Sequence, residues 1–109
     1  MAELGTVNFT GLSGKSYTFT AYPLNQQFNA VGAVYFITKR YLQNGTYWFR
    51  HIYIGMTGDL STRFDDHHKQ ECFRRNEANA ICIFVVKGEE ARRSVETDLI
   101  RNYNPPCNG

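Results

Sequence analysis

The sequence predicts an α+β domain, in which short strands form a small mixed sheet and two helices pack against it. Two observations lead to this class. The first half of the 109 residues alternates apolar with polar side chains and is rich in aromatic and β-branched residues, which favours strands. In the second half, apolar side chains recur at the helical period in two stretches that flank an apolar run of strand length. After an N-terminal hairpin, the predicted order is therefore strand, strand, helix, strand, helix.

Length and composition predict one compact domain. A chain with 42% hydrophobic and 20% charged residues is globular in composition, which excludes a disordered or collagen-like protein. No stretch approaches the roughly 18 to 20 apolar residues of a membrane span, and the N terminus lacks a basic segment followed by an apolar one. We therefore expect a cytoplasmic protein with no membrane partner.

The formal net charge of +2 permits a polyanionic partner but is too small to predict one. The charges are unevenly distributed, because Glu3 is the only acidic residue before Gly58. The second half contains nearly all the acidic residues and most of the arginines. This pattern indicates carboxylates and guanidiniums used together rather than a plain basic strip.

Residues 1–31 are predicted to form an N-terminal β-hairpin extension. Two short runs at residues 7–10 and 16–20 are rich in β-branched and aromatic side chains, and Pro23 ends the second run. An edge strand at this position would extend the sheet or form a dimer contact, and the sequence does not choose between them.

A second and longer hairpin is predicted from residues 33–38 and 47–54, with Asn44 and Gly45 at its tip. Its register decides whether two tyrosines can share a site, which makes the turn informative. We consider two turns of different length.

A two-residue turn would place Gln43 opposite Thr46, and Tyr35 and Tyr53 would then point to opposite faces of the sheet. A three-residue loop with Gly45 at positive φ would place the two tyrosines opposite each other. We expect the three-residue loop, because Gly45 is suited to positive φ.

A helix is predicted to begin at Thr57 or Asp59 and to run to about Lys69. Arg63 and His67 are four residues apart, so they would project from the same side of this helix. Both side chains would therefore be available to one site.

The remainder of the chain is predicted to alternate irregular and regular structure. Residues 70–79 are polar and irregular, residues 80–86 form an apolar strand, and Gly88 ends it. Residues 89–103 show a helical apolar period, and the prolines at 105 and 106 prevent its continuation. This second helix carries Glu96.

The three cysteines Cys72, Cys82 and Cys107 cannot all pair within one chain, and none forms a C-x-x-C motif, so we expect a reducing compartment. Cys82 lies in the apolar run and is interpreted as a small core residue. A zinc site built from His67 or His68 with Cys72 and Cys107 is an alternative, although the paired-ligand spacing of such sites is missing.

Five blocks of sequence resemble those of one known family when they are taken in order. A single Tyr-Ile-Gly would carry little information, but five blocks with this spacing are specific. The resemblance is to the GIY-YIG nuclease superfamily and covers residues 31–108. The blocks are Ala33-Val34-Tyr35, Tyr53-Ile54-Gly55, Thr57-Gly58-Asp59-Leu60-Ser61-Thr62-Arg63 with His67 one turn on, Glu96-Thr97-Asp98-Leu99-Ile100, and Tyr103-Asn104-Pro105-Pro106-Cys107-Asn108.

The resemblance implies the GIY-YIG fold, a small central, mainly antiparallel three-stranded sheet flanked by helices, over residues 32–109. The hairpin of residues 1–31 lies outside it. The sequence departs from the pattern twice: Ala33 replaces the first motif glycine, although Gly32 precedes it, and Met56 stands where several members carry a lysine.

The resemblance also implies a metal-dependent DNA endonuclease that hydrolyses phosphodiester bonds. Tyr35 and Tyr53 would be the motif tyrosines, and Arg63 would bind the scissile phosphate with its planar, permanently charged fork. Tyr35 would be the general base, for which its phenol pKa of about 10 must fall near a cation. His67 accepts a proton near neutrality without such a shift, so it is a second base or a relay to Tyr35.

Two further residues take their roles from the resemblance. Glu96 would hold one Mg²⁺ or Mn²⁺ ion, since a hard ion that keeps several waters suits phosphate chemistry. Asn108 would be the terminal asparagine that braces the site.

DNA would be engaged through phosphate contacts from basic residues beside the site, which makes binding sensitive to salt. No helix-turn-helix or zinc finger is present, so target specificity would come from DNA structure, a homodimer or a partner protein. The basic residues are Lys39, Arg40, Arg50, Arg74 and Arg75.

Each candidate residue also has an ordinary structural interpretation. Strand tyrosines are usually half-buried packing residues. Arg63 and His67 would otherwise pair with neighbouring aspartates on a solvated helix face, and Glu96 with Arg92 or Arg93 in its own helix.

Two alternative functions remain open. One is a catalytically weak or inactive DNA- or protein-binding module of the same fold, which Ala33 and Met56 favour. The other is a small zinc-stabilised interaction domain.

Overall fold

The structure is a computed structural model that describes residues 3–62 and 69–108. Five strands in these residues form one sheet in the spatial order first, second, fifth, third, fourth, and every pairing is antiparallel. Two helices and a terminal 3-10 turn, Pro106–Asn108, complete the described structure. The elements are β1 (Gly5–Thr10), β2 (Ser16–Pro23), β3 (Ala33–Gln43), β4 (Thr46–Thr57), α1 (Gln70–Arg75), β5 (Ala80–Val85) and α2 (Glu89–Tyr103).

The fold class predicted from the sequence is wrong. We expected a small mixed or mainly antiparallel three-stranded sheet flanked by helices, whereas the described residues are mostly one five-stranded antiparallel sheet with two helices. The N-terminal hairpin belongs to this sheet, because β2 pairs with β5. Side chains on one face of β2, including Tyr17, Phe19 and Ala21, are buried. A lone hairpin could not cover these side chains, since a two-stranded ribbon is at best marginally stable in water.

The sheet buries a separate cluster of side chains on each face. Because neighbouring side chains of a strand point to opposite faces, β3 contributes to both clusters. We call one face the tyrosine face, where Tyr35, Ile37 and Tyr53 pack with Leu60 and Phe73. The other is the helix face, which α2 covers; its buried residues include Phe9, Phe19, Phe36, Ile54 and Leu99.

The second predicted helix is confirmed as α2, with the predicted bounds. It ends where Asn104 adopts a left-handed conformation with φ of 45° and Pro105 follows. Residues 70–79, predicted to be irregular, instead begin with the short helix α1, which buries Phe73. No helix among the described residues combines the length and the apolar character needed to cross a membrane.

The helix predicted to begin at Thr57 or Asp59 is not formed by the residues that the structure describes there. The Asp59 amide donates to Thr57 Oγ1 at 3.1 Å, and the Ser61 amide donates to Asp59 Oδ1 at 2.9 Å. Such local side-chain bonds offer the backbone an alternative to helix, and this segment forms turns. The rest of the predicted helix, with Arg63 and His67, lies outside the described residues.

The turn of the β3–β4 hairpin has two residues, so the three-residue loop expected from the sequence is wrong. Asn44 and Gly45 both adopt positive φ, at 54° and 80°, and Gln43 pairs with Thr46. Turns of this kind match the twist of the strands that they join, which explains why the shorter turn forms.

A β-bulge in β4 nevertheless places the two motif tyrosines on one face. Ile37 pairs with Tyr53 whereas Thr38 pairs with His51, so Ile52 is an extra residue in β4. The bulge reverses the alternation that the turn sets. The motif tyrosines therefore share a face, although the register from which we expected this is not the one formed.

Two of the three cysteines are bonded to each other, a pairing that the sequence analysis did not predict. Cys72 in α1 and Cys107 in the terminal 3-10 turn form a disulfide with a Cα–Cα distance of 6.0 Å. Two ligands of the alternative zinc site are thereby bonded to each other. Cys82 is a free, buried thiol, as predicted, and burial raises its pKa to about 12.

Candidate functional site

The two motif tyrosines lie side by side in the core of the tyrosine face. The ring centroids of Tyr35 and Tyr53 are 6.1 Å apart. Tyr35 has no exposed surface and Tyr53 is 9% exposed, with the Tyr53 ring also packing 5.4 Å from the ring of Phe73 in α1. In this conformation Tyr35 is a core residue that solvent does not reach.

Gly55 provides the space in which the two rings lie. The β3–β4 register places Tyr35 opposite Gly55. A Cβ atom on Gly55 would lie 2.5 Å from Oη of Tyr35 and 2.8 Å from Cε2 of Tyr53, which is closer than real Cβ atoms approach their neighbours. The glycine of the Tyr-Ile-Gly block is therefore required for the packing of both tyrosines.

Asn108 binds the backbone of β4 between the second motif tyrosine and this glycine. Its Oδ1 accepts a hydrogen bond from the Ile54 amide, and its Nδ2 donates to the Ile54 carbonyl, both at 2.8 Å. Because β4 is an edge strand, these backbone groups have no neighbouring strand to pair with. This double hydrogen bond is the contact through which Asn108 would brace the site.

The disulfide fixes the turn that carries Asn108. Cys107 precedes Asn108 directly and is bonded to Cys72 of α1, so the C-terminal turn is attached to the cover of the tyrosine face. Asn76 adds a hydrogen bond from its Nδ2 to the Cys72 carbonyl at 2.9 Å. The sequence analysis did not predict this link, because two cysteines 35 positions apart give no local signal of pairing.

Glu96 lies on α2 and is partly buried. Of the two arginines considered as its partners in this helix, Arg93 pairs with Glu89 at 2.7 Å and Arg92 donates to the Val86 carbonyl at 3.0 Å. Arg92 lies one turn before Glu96, so both project from the same side of α2.

Arg92 is a residue that sequence analysis missed as part of this region. A Cβ atom on Gly32 would collide with its guanidinium, and one on Gly58 would lie 3.7 Å from its Nη2. Its Nε is buried and makes no hydrogen bond within the part of the chain described. The two glycines, just before β3 and just after β4, were the available signal for a group packed against both segments.

Arg63 and His67 fall within residues 63–68, outside the described residues. Their roles in phosphate binding and proton transfer stay predictions. The same holds for the zinc alternative, which needs His67 or His68.

Glu96 is the single predicted metal ligand. Residues 3–62 and 69–108 contain no group of three or more His, Cys, Asp or Glu side chains that could hold a metal ion. One carboxylate suits Mg²⁺ or Mn²⁺, because these ions take oxygen ligands and Mg²⁺ in particular retains several waters. The donor chemistry of Glu96 therefore fits the implied ion.

The five predicted DNA-contacting residues are divided between surfaces. Lys39 and Arg50 are a cross-strand pair on the tyrosine face, and Lys39 forms an ion pair with Glu77. Arg40 points to the opposite face and packs over the ring of Tyr47 at 3.7 Å. The remaining two, Arg74 and Arg75, are exposed at the end of α1, where Arg74 pairs with Glu71.

The described geometry brings three distant blocks of the sequence together: the first motif tyrosine on β3, the Tyr-Ile-Gly block on β4 and the C-terminal turn with Asn108. Glu96 is on α2, which packs on the opposite face of the sheet from Tyr35 and Tyr53, and the arginine and histidine blocks lie outside the described residues. No protein-family model, curated protein or solved structure matches this chain.

Proposed function

We propose that this protein is a metal-dependent DNA endonuclease that hydrolyses phosphodiester bonds. One observation carries the proposal: Asn108 binds the backbone of Ile54 while Tyr35 and Tyr53 pack together over Gly55. Core packing explains the glycine beneath the two rings, but it does not by itself require an asparagine from the far end of the chain to bind the backbone of β4. Their combination supports a site in which phenol groups are held in fixed positions.

In the proposed reaction Arg63 binds the non-bridging oxygens of the scissile phosphate, and a phenol or imidazole takes the proton of the attacking water. Tyr35 is the first candidate for that base. Its pKa must fall from about 10, which a neighbouring cation promotes. His67 is the other candidate, since its ordinary pKa lies near neutrality.

Glu96 would hold one Mg²⁺ or Mn²⁺ ion, and a bound ion supplies positive charge for the phosphate and the departing oxygen. Asn108 keeps the backbone of β4 in place beneath the phenols. Tyr53 orients Tyr35 by packing against it and excludes water from the Tyr35 ring.

We further propose that the protein acts on DNA in the cytoplasm. Target specificity would come either from a homodimer or from a partner protein. Disulfides are rare in the reducing cytoplasm. The redox state of Cys72 and Cys107 in cells therefore tests the proposed compartment directly.

The test is cleavage of plasmid and branched DNA with Mg²⁺ or Mn²⁺. Glu96→Gln and Arg63→Ala should each lower the rate by about 100-fold or more, as removal of a group that stabilises the transition state does. Glu89→Gln is the matched control, because it also removes a carboxylate from α2, and that carboxylate pairs with Arg93. Equal rates in all four proteins would refute the proposal.

The complete burial of Tyr35 favours a second candidate, a catalytically weak or inactive DNA- or protein-binding module. A general base must reach the water that it activates, and a phenol without exposed surface does so only after the site opens. Salt-dependent DNA binding without cleavage in any divalent metal would support this candidate. The zinc-stabilised domain is not proposed, since Cys72 and Cys107 are bonded to each other.

A further inference from the structure

The β3–β4 hairpin extends beyond the rest of the sheet. β5 accompanies β3 only as far as the pair Thr38–Ala80. The Asn79 side chain continues the edge by one step, accepting from the Arg40 amide at 2.7 Å and donating to its carbonyl at 3.0 Å. Further out, β3 and β4 pair only with each other within the described residues. We call residues 39–50 the ribbon.

The ribbon exposes large apolar side chains at its outer end. Seven large hydrophobic residues are exposed among the described residues, and four of them are on the ribbon. Trp48 and Tyr47 are each 52% exposed. A concentration of aromatic surface on a projecting two-stranded element is typical of a binding surface rather than of a free end. The four residues are Tyr41, Leu42, Tyr47 and Trp48.

One face of the ribbon combines aromatic and basic side chains. Tyr41 pairs with Trp48 across the strands, and Lys39 pairs with Arg50 two positions nearer the sheet. Paired residues share a face, as do alternate residues of one strand. Lys39 and Tyr41 therefore lie on the same face of β3 as Tyr35, and we call this the aromatic-basic face.

The charge on this face is complementary to a polyanion. Neither β3 nor β4 contains an acidic residue. Glu77 is the carboxylate that pairs with Lys39, and its pKa is held below the usual range by the Lys39 hydrogen bond, with a further contribution from Arg50. Arg50 is exposed and forms no ion pair in the described residues.

We propose that the aromatic-basic face binds single-stranded DNA, with Trp48 and Tyr41 stacking on unpaired bases and Lys39 and Arg50 contacting the flanking phosphates. Stacking of bases on aromatic side chains beside a positive groove is the general mode of single-strand binding, and it tolerates any sequence. A duplex hides the base faces on which these rings would stack. The aromatic-basic face lies on the same side of the sheet as Tyr35, which is itself buried.

The inference rests on the proposed function in taking DNA as the substrate, and it narrows that substrate to DNA with an unpaired segment, such as a flap, a gap or a fork. It does not require that the protein cuts the strand that it binds. The two claims are therefore separable by experiment.

Trp48 is the only tryptophan of the chain, so its fluorescence reports on the ribbon alone. The Glu96→Gln variant, without added divalent metal, is titrated with oligothymidylate and with a blunt duplex of the same length. We expect oligothymidylate to quench the fluorescence and to bind roughly tenfold or more tightly than the duplex. Equal affinity for the two would overturn the proposal.

Anisotropy of a labelled oligothymidylate then compares variants. Trp48→Ala and Tyr41→Ala should each weaken binding by roughly 5- to 150-fold, the range for loss of one stacked base. Tyr47→Ala is the matched control, since Tyr47 is as exposed as Trp48 but lies on the opposite face of the ribbon. Equal losses in the control and in Trp48→Ala would overturn the proposal, and thermal melting of each variant checks that it is folded.

The same variants distinguish single-stranded DNA from two other binding partners of the ribbon, a second copy of the chain and an anionic membrane. The proposal would be overturned if Trp48→Ala abolished association of two copies but left oligothymidylate binding unchanged. It would also be overturned if the Trp48 fluorescence changed with anionic lipid vesicles but not with oligothymidylate. Quenching without cleavage of forked DNA would refute the endonuclease and leave this inference standing. Cleavage that is equally fast in Trp48→Ala and Tyr47→Ala on forked DNA would refute this inference and leave the endonuclease standing.

Discussion

The inner and outer halves of the β3–β4 hairpin contain the same kinds of residue but differ in what surrounds them. In the inner half, Tyr35 and Tyr53 are enclosed by α1, the C-terminal turn and the neighbouring strand β5. In the outer half, Tyr41 and Trp48 are paired directly across the two strands, with no element over them in the described residues. Aromatic content therefore identifies the strands, whereas burial depends on elements far away in the sequence.

This difference bears on function. A buried aromatic pair holds its groups in fixed positions, which suits a site that requires defined geometry. An exposed aromatic pair is available to stack on another molecule, which suits recognition. One hairpin would thus join a rigid region to the proposed recognition region through continuous backbone.

The largest expected effect compares one aromatic residue from each half. Phe36 is fully buried, and its ring centroid lies 4.1 Å from that of Phe9. Phe36→Ala should lower the free energy of unfolding by about 3 to 5 kcal/mol, because it removes a core ring and leaves a cavity. Trp48→Ala should lower it by about 0.5 kcal/mol or less. Urea unfolding measures both values, and similar losses would mean that the outer half is packed in solution.

The second prediction concerns the disulfide that encloses the inner half. Replacing Cys72 and Cys107 by serine should lower the free energy of unfolding by about 3 to 4 kcal/mol, the loop-closure entropy expected for a crosslink spanning about 35 residues. A reducing agent should destabilise the wild type and leave the double variant unchanged. Oligothymidylate binding by the ribbon should survive in both, and its loss would show that the two halves are coupled.

The third prediction concerns the hydrogen bonds of Asn108. Asn108→Ala removes both contacts to Ile54 and should cost about 1 to 2 kcal/mol of stability. Asn108→Asp is the matched variant, because its carboxylate accepts from the Ile54 amide but cannot donate to the carbonyl at neutral pH. Cleavage should fall in both variants if the backbone of β4 positions the site, whereas unchanged cleavage would remove Asn108 from it.

The smallest effect is a pH dependence on the helix face. Burial lowers the pKa of His51, whose ring lies 4.2 Å from that of Tyr103. The unfolded chain then binds this proton more readily than the folded chain. The contribution of His51 to stability is therefore fully present above pH 6.5 and is lost as the pH falls through the lower pKa of the folded state. In His51→Gln the melting temperature should depend less on pH over that range. If its dependence on pH were unchanged, other groups would be responsible for the effect.

The regular elements were predictable where a local pattern determines them. The period of the apolar side chains and the following Pro105 located α2 at the observed bounds, and the apolar run at residues 80–86 became β5. The joining of β2 to β5 was not predictable in this way, because it pairs segments about 60 residues apart.

The candidate site shows the same limit. The motif residues Tyr35, Tyr53 and Asn108 were identified from the sequence. The two tyrosines share a face only because of the bulge at Ile52, and no residue of the turn predicts that bulge. Gly45 suits either turn length, so it could not decide the register. The disulfide and the position of Arg92 depend on contacts between distant segments, which an alternation pattern does not contain.

The hydrogen bonds from Asn108 to Ile54 also affect how molecules meet one another. An edge strand with unpaired amides and carbonyls is a template on which a strand of another copy can add. Asn108 occupies the donor and the acceptor that such a strand would use at Ile54. The C-terminal turn therefore protects the most apolar stretch of this edge from aggregation, and solubility would decline with the loss of a single amide.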